Sequence, residues 1–452
     1  MQKNLNMTQG KPMGLLVRFA IPLMLGNVFQ QLYTVVDTAI VGKGVGMDAL
    51  AAIGTVDWLG WLMLGIAQGL TQGFSVRMAQ KYGEGDGQGL QDCIGQSARL
   101  SILIALACTL LGQLGLPLFL QLLRVPADLT GMASMYIRII MAGMPAMVFY
   151  NFCASVLRAI GDSKTPLVAM MAAAAANIVL DCLVVFVLGW GIAGAAIATV
   201  IAQCFSGLLC AWRIWKTPAL HFNRSQMRHD AERSRDLLGM GLPVAGKNTI
   251  IALGGMGIQA VVNGFGMSFI AGFTATNKLY GVLEIAAISY GYAITTYVGQ
   301  NYGAGKNRRI RRGMRSAVVL SLVTAAVIAL VMVVFGRPIT MLFISTETPE
   351  LAKAAGDVAY WYLCAMAACL PALYLLHVYQ AALQGMGNAM ISMVSGIIEF
   401  ITRVGLSLAV AATGYTYGVF GAEVGAWLGA AVYLALCYYR SIRFLPEERE
   451  AI

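Results

Sequence analysis

Twelve long apolar runs are the feature of this 452-residue sequence that most limits its fold. About 20 mainly apolar residues cross the hydrocarbon core as a helix, and only helices or closed barrels satisfy their backbone hydrogen bonds there. Composition agrees, since 58% of the residues are hydrophobic and 12% are charged, against about 25% charged in soluble proteins. We predict an all-α integral membrane protein with twelve transmembrane helices, near residues 15–42, 52–80, 95–120, 131–157, 165–188, 191–214, 239–266, 274–300, 315–336, 355–383, 389–412 and 417–439.

Lysine and arginine concentrate in alternate loops, most densely in "RSQMRHDAERSR" at 224–235 and "KNRRIRR" at 306–312. By the positive-inside rule this bias predicts that both termini are cytoplasmic. The net charge of +10 is then a topology signal, with contact to membrane lipids and no nucleic-acid partner. Short loops and the strong bias indicate a multi-pass protein of a prokaryotic plasma (inner) membrane, and we expect a monomer.

The chain is also an internal duplication. "AQKYGEGD" at 79–86 returns as "GQNYGAGK" at 299–306, "VLRAIGDSKTP" at 156–166 answers "ALQGMGNAMIS" at 382–392, and Pro22 answers Pro243. Six spans per half give both copies the same orientation, related by a pseudo-twofold axis along the membrane normal. We predict an N-lobe at 1–215 and a C-lobe at 237–440. A cytoplasmic inter-lobe loop at 216–236 joins them, and a cytoplasmic tail follows at 441–452.

Polar residues converge within the spans of the first half. Asn177 and Asp181 are four apart and share one helix face. The tight turn at Trp190 brings Thr199 to the depth of Asp181, and Asp37 also lies in the outer half of its span. Intramembrane carboxylates are costly and usually functional. These oxygens suit either Na⁺ or a proton, while the alternative is a purely structural hydrogen-bond cluster.

The motifs "FAIPLMLGNVFQQLYTVVDTAIVG", "QKYGEGD", "LRAIGDSKTP" and "YVGQNYGAGK" resemble the multidrug and toxic compound extrusion (MATE) family over both halves. The resemblance implies a V-shaped antiporter of two six-helix lobes. In the DinF-like branch it places Asp37, Asn177, Asp181 and Thr199 at the proton or sodium positions, so that Na⁺ is one candidate ligand there. It places Gln30, Tyr33 and Asn151 in the drug pocket. Without the resemblance, Gln30 and Tyr33 would be interpreted as polar groups in helix packing.

The second half lacks the acidic site and instead carries Lys247, Glu284, Glu399 and Arg403 within its spans. The depth of these residues within their spans predicts the ion pairs Lys247–Glu399 and Arg403–Glu284. Pairing of Glu399 with Arg403 along one helix is an alternative. We interpret the group as a structural or gating charge network, the alternative being a second proton site. Asp57 and Glu423 are interpreted as solvated residues near span ends, and His377 as a packed histidine rather than a proton relay.

The sequence shows no enzyme signature and no Walker phosphate loop. We predict a secondary active antiporter that exports cationic or amphipathic drugs and toxic organic compounds by alternating access of two lobes. An inward proton or sodium gradient drives it, and no other cofactor is expected. Neutralised Asp37 and Asp181 would let the first span repack or bend at Pro22, where proline removes a hydrogen bond. The alternative function is a flippase for a lipid-linked sugar or other lipid; a channel fits poorly.

Overall fold

The computed structural model describes residues 5–122, 125–341, 344 and 349–445, so that residues 446–452 of the predicted tail lie outside it. The described residues are almost entirely helical and contain no β-strand. Thirteen α-helices follow one another: α1 Pro12–Gly44, α2 Met47–Glu84, α3 Gly87–Leu122, α4 Ala127–Ala142, α5 Met144–Ala159, α6 Lys164–Cys182, α7 Gly191–Trp215, α8 Ala231–Val262, α9 Met267–Gly303, α10 Asn307–Met341, α11 Pro349–Gly385, α12 Ala389–Thr413 and α13 Phe420–Arg443.

The all-α membrane fold predicted from the sequence is confirmed. Within the described residues, nine helices are long and apolar enough to cross a membrane, or eleven if each of two bent pairs is one span. One bent pair is α4 with α5, which meet at Gly143 at an angle of 43°. The predicted span 274–300 falls on α9, whose 37 residues include the polar Asn277, Lys278 and Glu284 and are therefore less apolar.

The chain forms two compact units, and each contains a short piece from the other half of the sequence. The first unit comprises Met1–Asn6 and Ile21–Ala245, and the second Met7–Ala20 and Gly246–Ile452. The chain therefore changes unit inside α1, one residue before Pro22, and inside α8, two residues after Pro243. The whole predicted inter-lobe loop, 216–236, belongs to the first unit.

The inter-lobe loop is held on the first unit by buried polar contacts. Asp92 of α3 accepts hydrogen bonds from Arg233 Nη1 at 2.7 Å and from Gln226 Nε2 at 2.9 Å. Gln96, 2% exposed, donates to the carbonyl of Gln226 at 2.8 Å. A Cβ on Gly95 would lie 2.8 Å from that same carbonyl oxygen, so glycine is required for this close approach.

The segment that precedes α1 is also held by polar contacts, in this case within the second unit. Met7 is fully buried, and its N–H donates to Gln300 Oε1 at 3.0 Å. Its carbonyl accepts from Asn301 Nδ2 at 3.0 Å and from Arg309 Nη2 at 3.2 Å. Gln300 and Asn301 belong to the repeated "GQNYGAGK" motif, so in the second half this motif holds the segment that precedes α1.

The core of the second unit is rich in tyrosines whose hydroxyl groups are satisfied. Tyr374 and Tyr297 are at most 1% exposed. The Tyr374 hydroxyl donates to the carbonyl of Leu283 at 3.0 Å, and that of Tyr297 donates to Arg309 at 2.8 Å. Buried tyrosine hydroxyls usually find such partners, and here they join α9 to α11 and α10.

Small residues bring α2 and α8 into backbone contact within the first unit. Gly69 and Gly73 are four apart on α2, and Gly241 and Ala245 are four apart on α8. A Cβ on Gly69 would lie 2.5 Å from Ala245 Cα, and one on Gly73 would collide with the backbone of Gly241. This small-xxx-small pairing is a common way for membrane helices to approach closely.

We predict that Gly73→Ala destabilises the protein because its new Cβ has no room against α8. The control is Gly54→Ala on the same helix, where a Cβ would meet nothing within 4 Å. Alanine is favoured over glycine in a helix by about 1 kcal/mol, so the control should keep or raise the thermal unfolding midpoint while Gly73→Ala lowers it. Equal midpoints for the two variants in detergent would contradict the close packing.

Candidate functional site

Helix α1 lies alongside α6 in the first unit, and the two close contacts between them bracket the middle of α1. A Cβ on Gly26 would lie 2.7 Å from Met170 Cε of α6. Nearer the other end of α1, a Cβ on Gly44 would collide with Val185 just beyond α6. The helices run in the same direction, so Asp37 of α1 is brought opposite the last turn of α6.

The two carboxyl groups predicted from the sequence meet there. Asp181 is fully buried and Asp37 is half-buried. Their side chains lie close enough to interact electrostatically. Among the described residues no donor reaches Asp37 Oδ1 or either carboxyl oxygen of Asp181. Because carboxylate oxygens only accept, a hydrogen bond between them requires a proton on one of the two.

Asn177 adds a third unsatisfied polar group one turn earlier on α6. It is 1% exposed, and in the described part of the chain neither its amide nitrogen nor its amide oxygen has a hydrogen-bond partner. Leaving a buried polar group unpaired costs about 1–3 kcal/mol, and more if it is charged. The cluster of Asp37, Asn177 and Asp181 therefore holds polar atoms that the described residues leave unpaired at a cost.

The backbone leaves regular α-helical geometry directly after this cluster. Residues Leu183–Val187 form a single π-helical turn that follows Cys182. Leu188 N–H donates to the carbonyl of Leu183 at 2.9 Å, and Trp190 N–H donates to that of Val184 at 2.9 Å. Single π-helical turns are frequent at functional sites, and this one ends α6 one residue beyond Asp181.

Thr199, the fourth predicted coupling residue, lies on α7, which packs against α6. It is half-buried, and its hydroxyl donates to the carbonyl of Ala195 on its own helix at 3.0 Å. The hydrogen of this hydroxyl is therefore engaged, while the oxygen lone pairs stay available to a cation. The structure places Thr199 on the neighbouring helix and shows no direct bond from it to the carboxyl pair.

The three predicted pocket residues are placed differently from one another. Tyr33 is half-buried, one turn before Asp37, and lies within electrostatic range of both carboxyl groups. Gln30 is half-buried a further turn back on α1. Asn151, 6% exposed on α5, donates to the carbonyl of Met147 in its own helix at 2.9 Å. The structure thus joins Tyr33 to the acidic cluster and leaves Asn151 bonded within α5.

Tyr136 of α4 belongs to the cluster and was not identified from the sequence. It is half-buried and within electrostatic range of Asp37, Asp181 and Tyr33. Its local sequence, "SMYIRII", has no spacing that relates it to α1 or α6. Only the packing of α4 in the first unit reveals it.

The charges predicted within the second unit form a different set of pairs. Arg403, 3% exposed, donates through Nη2 to Glu423 Oε1 at 2.7 Å and lies 3.9 Å from Glu399 Oε2 on its own helix. The predicted Arg403–Glu284 pair is therefore wrong. Glu423 is also not a solvated end group as predicted, since it is 9% exposed. It lies in the first turn of α13, which packs against α12.

The other predicted members of the charge network, Glu284 and Lys247, also have charged or ionisable neighbours. Glu284 Oε1 is 3.2 Å from His377 Nε2, so this histidine has an acidic partner and is more than a packed ring. The stem of Lys247 packs against Gly396, where a Cβ would lie 2.8 Å from Lys247 Cγ. Lys247 is within electrostatic range of Glu399 and Glu284, which keeps the charges of the whole group near balance.

Comparison with known proteins supplies an independent finding. The family described as MatE matches residues 22–183 and 243–408, so that the two matched segments begin at Pro22 and Pro243. The probable multidrug resistance protein YpnP of Bacillus subtilis is 30% identical over 343 residues, covering 76% of this chain and 77% of that protein. YoeA of the same organism, also a probable multidrug resistance protein, is 28% identical over 355 residues and 76% of each chain.

A solved structure of MATE in complex with MaL6 matches this fold. The match covers 98% of this chain and 99% of that chain, with a TM-score of 0.89 and 24% sequence identity. At this identity the match establishes the fold alone.

We predict that Asp181→Asn raises the thermal unfolding midpoint at pH 8. The asparagine amide can donate to Asp37, and one of two facing buried acids is removed. The matched control is Asp48→Asn, which removes an exposed carboxylate in the first turn of α2 and should leave the midpoint unchanged. A lower midpoint for Asp181→Asn than for Asp48→Asn would show that the carboxyl pair stabilises the fold.

Proposed function

Because the chain belongs to the MatE family, and is thus a multi-span membrane transporter rather than an enzyme, we propose that it is a secondary active antiporter. It exports cationic or amphipathic drugs and toxic organic compounds in exchange for inward H⁺ or Na⁺. The single observation that carries this proposal is the group of Asp37, Asn177 and Asp181. Among the described residues, Asp37 Oδ1, both carboxyl oxygens of Asp181 and both polar atoms of the Asn177 amide have no hydrogen-bond partner. The similar Bacillus subtilis proteins are named as probable multidrug resistance proteins, which supports drugs as cargo.

The coupling ion binds at the carboxyl pair in this proposal. A proton shared between Asp37 and Asp181 would satisfy both groups and remove one of two facing charges. For Na⁺, the available atoms are hard oxygens: the two carboxyl groups, the Asn177 amide and the Thr199 hydroxyl. Oxygen donors of this kind are those preferred by hard cations. Either guest neutralises the same charge, so both fit a single mechanism.

In this proposal the cargo and the coupling ion compete for the same charged face of α1. Gln30, Tyr33 and Asp37 follow one another at intervals of three and four residues and therefore share a helix face. The opposite face is exposed, with Leu32 57% and Val35 68% exposed. Neutralising Asp37 weakens its attraction for a cationic cargo beside Tyr33 and frees α1 to repack. Pro22 provides a point where α1 lacks one backbone hydrogen bond.

The charge network of the second unit has a structural or gating role in this proposal. Arg403 is held by Glu423 and Glu399, and Glu284 by His377. Removing one member of a buried ion pair leaves an uncompensated charge, so these residues fix the packing of α9, α11, α12 and α13.

The proposed localisation is the plasma membrane, with both termini in the cytoplasm. We propose that the protein acts as a monomer and binds no nucleic acid.

The flippase alternative is disfavoured by charge. A lipid-linked sugar carries phosphate, and a site for it needs unpaired cationic side chains. Of the basic residues predicted to form the charge network within the spans of the second unit, Arg403 is paired with acids and Lys247 has two acids nearby. The first unit offers two acids instead. Cationic cargo therefore fits the charges better.

We predict that purified protein in liposomes moves ethidium against its gradient when an inward proton or sodium gradient is imposed. Asp37→Asn should reduce this flux to that of empty liposomes, because the asparagine side chain stays neutral and cannot alternate between a charged and a neutralised state. Asp48→Asn, with the same chemical change at an exposed position, should transport normally. Applying each gradient alone identifies the coupling ion.

The proposal fails if folded wild-type protein moves no cation under either gradient. It also fails if Asp37→Asn retains full gradient-driven flux. Transport of a lipid-linked sugar under those conditions would establish the flippase alternative.

We also predict that α1 bends when its carboxyl group is neutralised. Spin labels at the exposed positions Met13 and Val35 lie on either side of Pro22, so their distance should differ between pH 5 and pH 8. Labels at Val319 and Val334 of α10, both exposed and without an intervening proline, provide the control. Identical α1 distances at the two pH values would rule out the bend.

A further inference from the structure

Six exposed arginines lie together at one end of the second unit, and we name them the arginine rim. The intervals of three and four residues put the four from α10 on one face. The other two come from the last turn of α13. The two helix ends are adjacent, since Arg311 Nη2 donates to the carbonyl of Ile442 at 3.1 Å. The rim consists of Arg308, Arg311, Arg312, Arg315, Arg440 and Arg443.

The rim continues the most exposed apolar surface of this unit. On α10, Arg315 is followed at intervals of four by Val319, Val323 and Val327, each more than 50% exposed. On α13, Arg440 is preceded by Leu436, which is 67% exposed. The most apolar stretch of α10 is only 11% buried. Because these apolar faces meet acyl chains, the arginines on the same faces lie at the level of the lipid headgroups.

Within the described part of the chain, no acidic side chain forms a salt bridge that compensates the charge of the rim. At the corresponding end of the first unit, Arg77 pairs with Asp236 at 2.5 Å and Arg213 with Asp162 at 3.2 Å. No salt bridge between described residues involves an arginine of the rim. The positive-inside rule accounts for basic residues at this end, and exposed arginines without a salt bridge, such as Arg224, Arg228 and Arg235, also occur in the first unit. The rim differs from these in lying on the same helix faces as exposed apolar residues of α10 and α13.

One exposed tyrosine, packed against two buried ones, lies on α13 beside the rim. The rings of Tyr379 and Tyr438 are 5.4 Å apart and buried. Tyr439 is 54% exposed, and its hydroxyl lies 3.3 Å from that of Tyr379. Tyrosine is enriched at membrane interfaces, where its ring and hydroxyl face apolar and polar layers. The arginines therefore stand next to a surface that suits the glycerol region of a lipid.

We propose that the arginine rim binds the headgroup of an anionic phospholipid. Guanidinium groups of α10 and α13 hold the phosphate mainly through their positive charge. The acyl chains then lie along the exposed valines of α10 and Leu436 of α13. That this lipid belongs to the cytoplasmic leaflet rests on the proposed orientation, whereas binding itself does not depend on transport.

Native mass spectrometry of detergent-purified protein tests the proposal, with phosphatidylglycerol and phosphatidylcholine as probes. The variant is Arg312→Gln/Arg315→Gln/Arg443→Gln, which leaves the Arg311–Ile442 contact intact. Its matched control is Arg224→Gln/Arg228→Gln/Arg235→Gln, which removes the same charge from exposed positions of the first unit. Since one arginine near an anionic surface contributes about 1 kcal/mol, the rim variant should bind phosphatidylglycerol at least about tenfold more weakly than wild type.

The control and Arg→Lys at the three rim positions should both retain binding within about threefold, since the lipid attraction rests mainly on charge. Equal loss in the rim variant and the control would overturn a defined site, as would equal affinity for both lipids. Inorganic phosphate that displaces the lipid completely would indicate a free-anion site instead. Glu447→Gln/Glu448→Gln/Glu450→Gln should change little; a large rise in lipid binding would show that the tail, not lipid, occupies the rim.

Discussion

The burial of Asp37 against Asp181 without a protein donor is the constraint on which the rest of the first unit depends. Two carboxyl groups and the Asn177 amide are held together in a membrane helix pair with unsatisfied polar atoms among the described residues. Such an arrangement is costly and is relieved by one proton or one small cation. A group of unpaired oxygens beside Tyr33 is the feature on which the proposed exchange of cations rests.

The helix that carries Asp37 is also where the chain changes unit. Residues Met7–Ala20 pack in the second unit, and the rest of α1 packs in the first. Pro22 lies at this change, and Pro243 lies near the matching change in α8. Met7, which precedes α1, is held by contacts within the second unit, and Gly241 of α8 makes a backbone contact with α2. The acidic site lies beyond Pro22, in the part of α1 that belongs to the first unit.

The sequence predicted much of this site because helical spacing and span depth are readable from it. Asn177 and Asp181 share a face at an interval of four residues, and apolar runs place Asp37 at a comparable height. Depth alone does not say in which direction a side chain points around its helix. For that reason Tyr136 was missed, and Arg403 was assigned to Glu284 although it contacts Glu423. Glu423 was misjudged because its place near the end of a span hid its burial against α12.

Infrared difference spectroscopy of the protonated carboxyl group tests the central claim most directly. Spectra of wild type, Asp37→Asn and the double variant Asp37→Asn/Asp181→Asn would be recorded in lipid, with and without Na⁺ or a cationic drug. The account predicts a protonated-carboxyl band in wild type that changes when either ligand is added, and that is absent from the double variant. A wild-type band that no ligand alters, or one that survives in the double variant, would contradict it.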